Sequence, residues 1–145
     1  MLRFGYKSRR ELKGVHADLV IVTTTALIRL PHHHKDADFT VFDGVRSKAE
    51  QRENIRTGVS WTMDSLHLPQ RDGFAHAVDL VPYFDGRLWW DSKASQIQAR
   101  VDRMFAAIAT AMAEAADVHD VAIQWGHDLW GKDKPHFQLD PDVYQ

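Results

Sequence analysis

The chain contains no cysteine. Disulfides, thiolate metal sites and a cysteine nucleophile are therefore excluded, and any bound metal must be held by nitrogen and oxygen. Long apolar runs are also missing. No stretch approaches the roughly 20 residues of a membrane-spanning helix, so membrane insertion is not expected. Charge of one sign is lacking too: 18 basic against 20 acidic side chains give a formal charge of -2, without the basic field that holds nucleic-acid phosphates. The N-terminal stretch has Arg3, Lys7, Arg9 and Arg10, but no apolar segment ending in small residues follows, so no secretory signal is read there. Repeats, low-complexity tracts and Pro/Gly/Ser-rich linkers are absent. One domain covering residues 1–145, monomeric and 44% hydrophobic, is expected. What the chain does have in number is histidine, nine residues, the side chain most often used as a metal ligand.

Hydrophobic periodicity orders the elements. Leu12, Val15, Leu19, Val22, Ala26 and Leu30 fall at steps of three and four, which predicts a helix over 8–30. The β-branched run from Val20 to Thr25 opposes that reading. Pro31 with His32, His33 and His34 reads as a loop, and 38–45 as a short strand, with Phe39 and Val41, and Asp43 after them, facing away from Thr40 and Phe42. Ser47 and Glu50 predict a capping box opening a helix over 47–55, ended by Gly58. An apolar alternation over 75–81 predicts a second strand, followed by a turn from Pro82 to Gly86. Ile97, Val101, Met104, Phe105, Ile108 and Met112 form one stripe, predicting a helix over 92–116 capped by Asp91 or Ser92. Strands over 121–125 and 135–139 complete an α+β domain with a small antiparallel sheet packed with helices.

Three segments carry groups suited to chemistry: Ser65-Leu66-His67, Ala75-His76-Ala77-Val78-Asp79, and Trp125-Gly126-His127-Asp128 continuing through Asp133-Lys134-Pro135-His136. Two histidines and a carboxylate drawn from separate elements would suit a catalytic zinc, which takes three protein ligands and leaves a fourth position open. Spacing alone does not select the set among so many histidines and acids.

Taken together, Phe42-Asp43-Gly44-Val45-Arg46-Ser47, Ser65-x-His67, His76-Ala77-Val78-Asp79-Leu80-Val81-Pro82-Tyr83, Trp125-Gly126 and Pro135-His136-Phe137-Gln138-Leu139 resemble the M15 family of zinc peptidases. The closest likeness is to the phage endolysin branch, which cleaves between L-alanine and D-glutamate in peptidoglycan stem peptides; the D-alanyl-D-alanine carboxypeptidases are related. The resemblance implies a zinc site in a cleft at the sheet, with His67, Asp79 and His136 as Zn2+ ligands. It implies Asp133 as the acid/base and Arg46 as the residue that stabilises the transition state. It also implies a lysin that accumulates in the host bacterial cytoplasm, depends on a holin-type partner for release, and acts on periplasmic peptidoglycan of the thin, Gram-negative type. A non-catalytic wall-binding module on the same fold is the rival class, which should tolerate loss of Asp133 and Arg46. The gap from Leu68 to Phe74 is longer than usual and reads as an inserted loop.

His76 competes with His67 as the first ligand. Alternate strand residues share a face, so Asp79 sides with Ala77 and His76 points the other way, which favours His67 unless a bulge at Ala75 reverses the face. His127, where the family often has glycine, either caps a turn beside Trp125 or lines the cleft. His16 and His119 read as structural or solvent-facing, and His32 to His34 as a solvated loop. Without the resemblance, Arg46 would read as a surface ion-pair residue. The five tryptophans, Trp61, Trp89, Trp90, Trp125 and Trp130, read as packing residues, with Trp125 and Trp130 also able to wall the groove.

Overall fold

In the computed structural model, which describes residues 3–60 and 62–145, an antiparallel sheet carries the site on one face and packs two long helices on the other. Its elements, in chain order, are α1 (Tyr6–Leu12), α2 (Ala17–Arg29), a 3-10 turn (Leu30–His32), β1 (Phe39–Asp43), α3 (Lys48–Arg56), β2 (Ala77–Phe84), β3 (Arg87–Leu88), α4 (Ser95–His119), β4 (Ile123–Trp125), α5 (Gly126–Trp130) and β5 (His136–Leu139). The strand order is β1-β2-β5-β4, with β3 hairpinned onto β2. The α+β expectation holds.

Core and site separate by strand alternation. Val78 and Leu80 of β2, Phe137 and Leu139 of β5, and Phe39 and Val41 of β1 are buried in the core with Leu19 and Val22 of α2 and Met104, Ile108 and Met112 of α4. Each fully buried side chain of this size stabilises the fold by roughly 1.5–3 kcal/mol. The opposite face of the same strands is left for polar groups.

The helix expected over 8–30 is two helices. Gly14 adopts a left-handed φ of 87°, Val15 makes a parallel bridge to Ala75, and His16 caps α2 by accepting the Asp18 N–H on Nδ1 at 3.0 Å. Both helices bury faces against one core, so the apolar periodicity runs unbroken through the interruption. Within α2 the periodicity does outweigh β-propensity: Thr23 and Thr24 turn their hydroxyls onto the Leu19 and Val20 carbonyls at 2.7 and 2.8 Å. The Ser47–Glu50 capping box forms as expected. The expected cap of α4 does not: the helix starts at Ser95 behind Ala94, because Ser92 gives its N–H to the Gln98 side chain and uses its hydroxyl on the Ala94 N–H. The turn after β2 also begins later, since Asp85 and Gly86, both at positive φ, form the two-residue hairpin to β3. The short helix α5 was not foreseen. Trp61 lies outside the described residues. Trp89 stacks on Phe84, but Trp90 and Trp130 are 45% and 53% exposed, so they are surface residues rather than core.

Candidate metal and catalytic site

The site is a row across three strands. Asp43 of β1 pairs in register with Asp79 of β2, and Asp79 with His136 of β5. The expected alternation of β1 would have left Asp43 on the core face with Val41. A β-bulge between Val41 and Asp43 adds one residue and turns Asp43 to the site side. Ala77, next on that face, pairs with Gln138, and Gln138 with Gln124 of β4.

His67 arrives from a loop. The hydroxyl of Ser65 accepts the His67 N–H at 3.2 Å, and the His67 carbonyl accepts the Arg46 N–H at 2.8 Å, so the Ser-x-His turn is pinned to the end of β1. The His67 ring is buried, with Nδ1 2.8 Å from the Gly44 carbonyl. A carbonyl can only accept, so Nδ1 carries the proton and Nε2 is a bare lone pair. His136 is arranged the other way round: its Nε2 lies 2.8 Å from Gln138 Oε1, and the Gln138 amide is itself oriented by donating to Gln124 Oε1 at 2.9 Å. Its Nδ1 is thereby left bare.

Both bare nitrogens face one oxygen. His67 Nε2 and His136 Nδ1 each stand 3.3 Å from Asp79 Oδ1, and the three ligand atoms lie within 4.8 Å of one another. That Asp79 oxygen is buried and has no hydrogen-bond partner. A buried, unpaired carboxylate oxygen facing two lone pairs is costly unless a cation lies among them. The outer partners of both imidazoles are those that fix a metal-binding tautomer. The group can therefore bind a metal ion. Burial works to raise the Asp79 carboxyl, but its pairing with His67 and His136 outweighs this and holds it far below the usual carboxylate range. For His67, burial opposes the charged ring and the Asp79 charge more than offsets it, leaving a net upward shift.

His76 is not in this group. It is buried with its ring turned away from Asp79 and toward Asp72, as strand alternation anticipated. His33 pairs with Glu114 and His119 with Thr25, both away from the sheet face.

Asp133 sits at the mouth of the site in a left-handed backbone conformation, φ 71°. Its loop is held by the Trp125 indole, which donates to the Lys134 carbonyl at 2.7 Å, and by the Leu80 N–H on the Pro135 carbonyl at 2.9 Å. Asp133 is exposed to solvent, yet the protein packed around its carboxyl removes enough water to raise it above the usual range; the nearby His136 charge pulls the other way and Asp79 adds to the rise. Beside it opens a cavity of about 410 Å3 lined by Trp90, Phe105, His127, Lys132 and Asp133. His127 lines this cavity, its ring 4.9 Å from that of Trp125.

Arg46 is held rather than free on the surface. Its guanidinium forms an ion pair with Asp43 and donates to Gln51 Oε1 at 2.5 Å. Gln51 is fully buried and spends its amide hydrogens on Ser60 Oγ at 2.8 Å and the Thr62 carbonyl at 2.6 Å. Sequence reading missed Asp43, Gln51 and Gln138 as supports. Gln138 was accessible, being two residues past His136 on a strand; Gln51 carries only the weak signal of sharing a helix face with Ile55.

Two imidazoles and a carboxylate converging on an antiparallel sheet, with a second acid and an anchored arginine beside them, define a hydrolase site able to hold one metal ion. The family model for phage L-alanyl-D-glutamate peptidase matches residues 1–142, and the chain belongs to that family; it is a peptidase. It is 25% identical over 142 residues to the L-alanyl-D-glutamate peptidase of Escherichia phage T5, covering 98% of this chain and 92% of that protein. The crystal structure of the Serratia marcescens L-Ala D-Glu endopeptidase ChiX is similar with a TM-score of 0.71 and 36% identity, over 99% of this chain and 93% of that one. The family resemblance read from the motifs is thus correct, and it falls in the L-alanyl-D-glutamate branch rather than among the carboxypeptidases.

Proposed function

We propose that the chain is a zinc-dependent peptidoglycan endopeptidase that cleaves the L-alanyl-D-glutamate bond of the stem peptide. The observation that carries this is the convergence of His67 Nε2 and His136 Nδ1 on the unpartnered Asp79 oxygen. His67, Asp79 and His136 would hold the ion. Zinc, when bound, supplies a Lewis acid and brings the pKa of a coordinated water to about 7. Asp133 accepts the proton from the attacking water and returns it to the leaving amine, a task favoured by a carboxyl raised above its ordinary value. Arg46, oriented by Asp43 and Gln51, faces the negative charge that develops on the carbonyl oxygen. The cavity beside Asp133 accommodates stem-peptide residues next to the scissile bond. Asp133 and Arg46, both held in place, speak against a binding module without turnover.

In this reading the enzyme works as a monomer, is stored in the host bacterial cytoplasm and reaches the periplasmic wall through a holin-type partner. No helix among the described residues is long and apolar enough to cross a membrane, in keeping with a need for such a partner. Mass spectrometry of muropeptides after digestion tests the reaction. A new free amine on D-glutamate, abolished by a chelator, is expected; loss of D-alanine alone would refute it.

A further inference from the structure

A second histidine–carboxylate cluster lies behind the site, on the loop joining His67 to β2. Asp72 uses both carboxylate oxygens there: Oδ1 accepts the Phe74 N–H at 3.0 Å, and Oδ2 lies 2.7 Å from Nε2 of the buried His76. The loop is closed by the Gln70 N–H on the Phe74 carbonyl at 2.9 Å. It is fastened to the His67 turn by the Gln70 amide, which donates to the Ser65 and Leu68 carbonyls at 3.1 and 2.7 Å. The His76 ring packs edge-on against His16 and Tyr144 at centroid distances of 5.4 and 6.2 Å.

The backbone of His76 bonds to both segments that carry the two imidazoles. Its N–H donates to the Leu66 carbonyl at 2.7 Å, and its carbonyl accepts the Leu139 N–H at 2.9 Å. Leu66 immediately precedes His67; Leu139 immediately follows Gln138, which holds His136. One residue therefore ties together the segments that deliver the two rings, and Asp72 fixes the side chain of that residue. The cluster is not a second metal centre. His16 Nδ1 already accepts the Asp18 N–H, so its Nε2 keeps a hydrogen and faces Asp72 Oδ2 at 3.8 Å as a donor.

We propose that Asp72 is a positioning residue for the metal site: by holding His76 it sets the spacing between the turn bearing His67 and the strand bearing His136, and so the affinity for the ion. The inference rests on reading His67, Asp79 and His136 as the ligands. Zinc affinity is measured on the whole chain by competition with a chromogenic chelator, alongside thermal unfolding of the metal-free protein. Asp72→Ala and His76→Gln are expected to weaken zinc binding by about tenfold, the low end for outer-shell changes. Asp72→Asn, which keeps an acceptor, falls in between, and the Ala/Gln double variant is little weaker than either single. Tyr144→Phe, which removes the hydroxyl bond to Asp18 on the far side of the cluster, lowers thermal stability and leaves zinc affinity unchanged. The proposal is overturned if Asp72→Ala binds zinc as tightly as wild type, or if Tyr144→Phe weakens binding equally. A wild-type protein that takes up no zinc sinks the ligand reading itself, and this inference with it.

Discussion

Asp79 is the residue on which the site depends, and its partners sort by what their removal leaves behind. His67→Ala or His136→Ala takes away one of the three proposed ligands, so elemental analysis should find zinc lost. Asp133→Asn removes the proposed proton acceptor and none of the proposed ligands; zinc should stay, and kcat should fall by about 10²–10⁴, the usual contribution of a general acid–base group. A zinc-free Asp133→Asn would instead make that residue a ligand. Tyr144 offers a separate test at high pH. Burial, first, and its hydrogen bond to Asp18 push its phenol from 10.0 up to about 12. The unfolded chain therefore loses this proton first, so the stability Tyr144 contributes is full below pH 10 and is lost as pH rises toward about 12. Denaturant midpoints across that window should fall in the wild type and fall less in Tyr144→Phe. At this scale the cluster of His67, Asp79 and His136 could be read from the sequence only through the family resemblance, with strand alternation turning His76 away; spacing alone did not select it. Asp43 could not, since a bulge leaves no mark on alternation until the register is known.

Close backbone approach decides which elements can carry the site. A Cβ on Gly126 would stand 2.6 Å from the Asp133 carbonyl oxygen and 3.0 Å from His136 Cβ, so the start of α5 lies against the segment joining Asp133 to His136. Gly126→Ala must push that segment outward; a loss of roughly 1–3 kcal/mol is expected from overpacking, together with a fall in kcat that exceeds any change in KM. Unchanged activity at reduced stability would separate α5 from catalysis. The sequence marks Trp125-Gly126 as notable but gives no helix there, because five residues, Gly126–Trp130, are too few to establish a period. The break between α1 and α2 was hidden for the opposite reason. Its two helices share one apolar stripe, and only Gly14 signals the interruption.

Over the whole molecule, the strands that build the site come from distant parts of the chain, and the latest in sequence, β5, is inserted between β2 and β4. The presence of strands and helices was legible from periodicity, but this order was not, since pairing partners leave no periodic trace in a single sequence. Such non-local pairing slows folding relative to a helical bundle, whose contacts are mostly local. Competence to bind zinc should therefore appear in the slowest refolding phase; stopped-flow detection of zinc uptake before β5 is protected from hydrogen exchange would contradict this. The inserted strand also bears on synthesis. A nascent chain that has not yet docked Pro135 to Leu139 holds two of the three proposed ligands at most and exposes the edges of β2 and β4, which favours association with other chains. On the proposed reading, hydrolytic capacity therefore switches on only when β5, which brings His136, slots between β2 and β4 in the middle of the sheet.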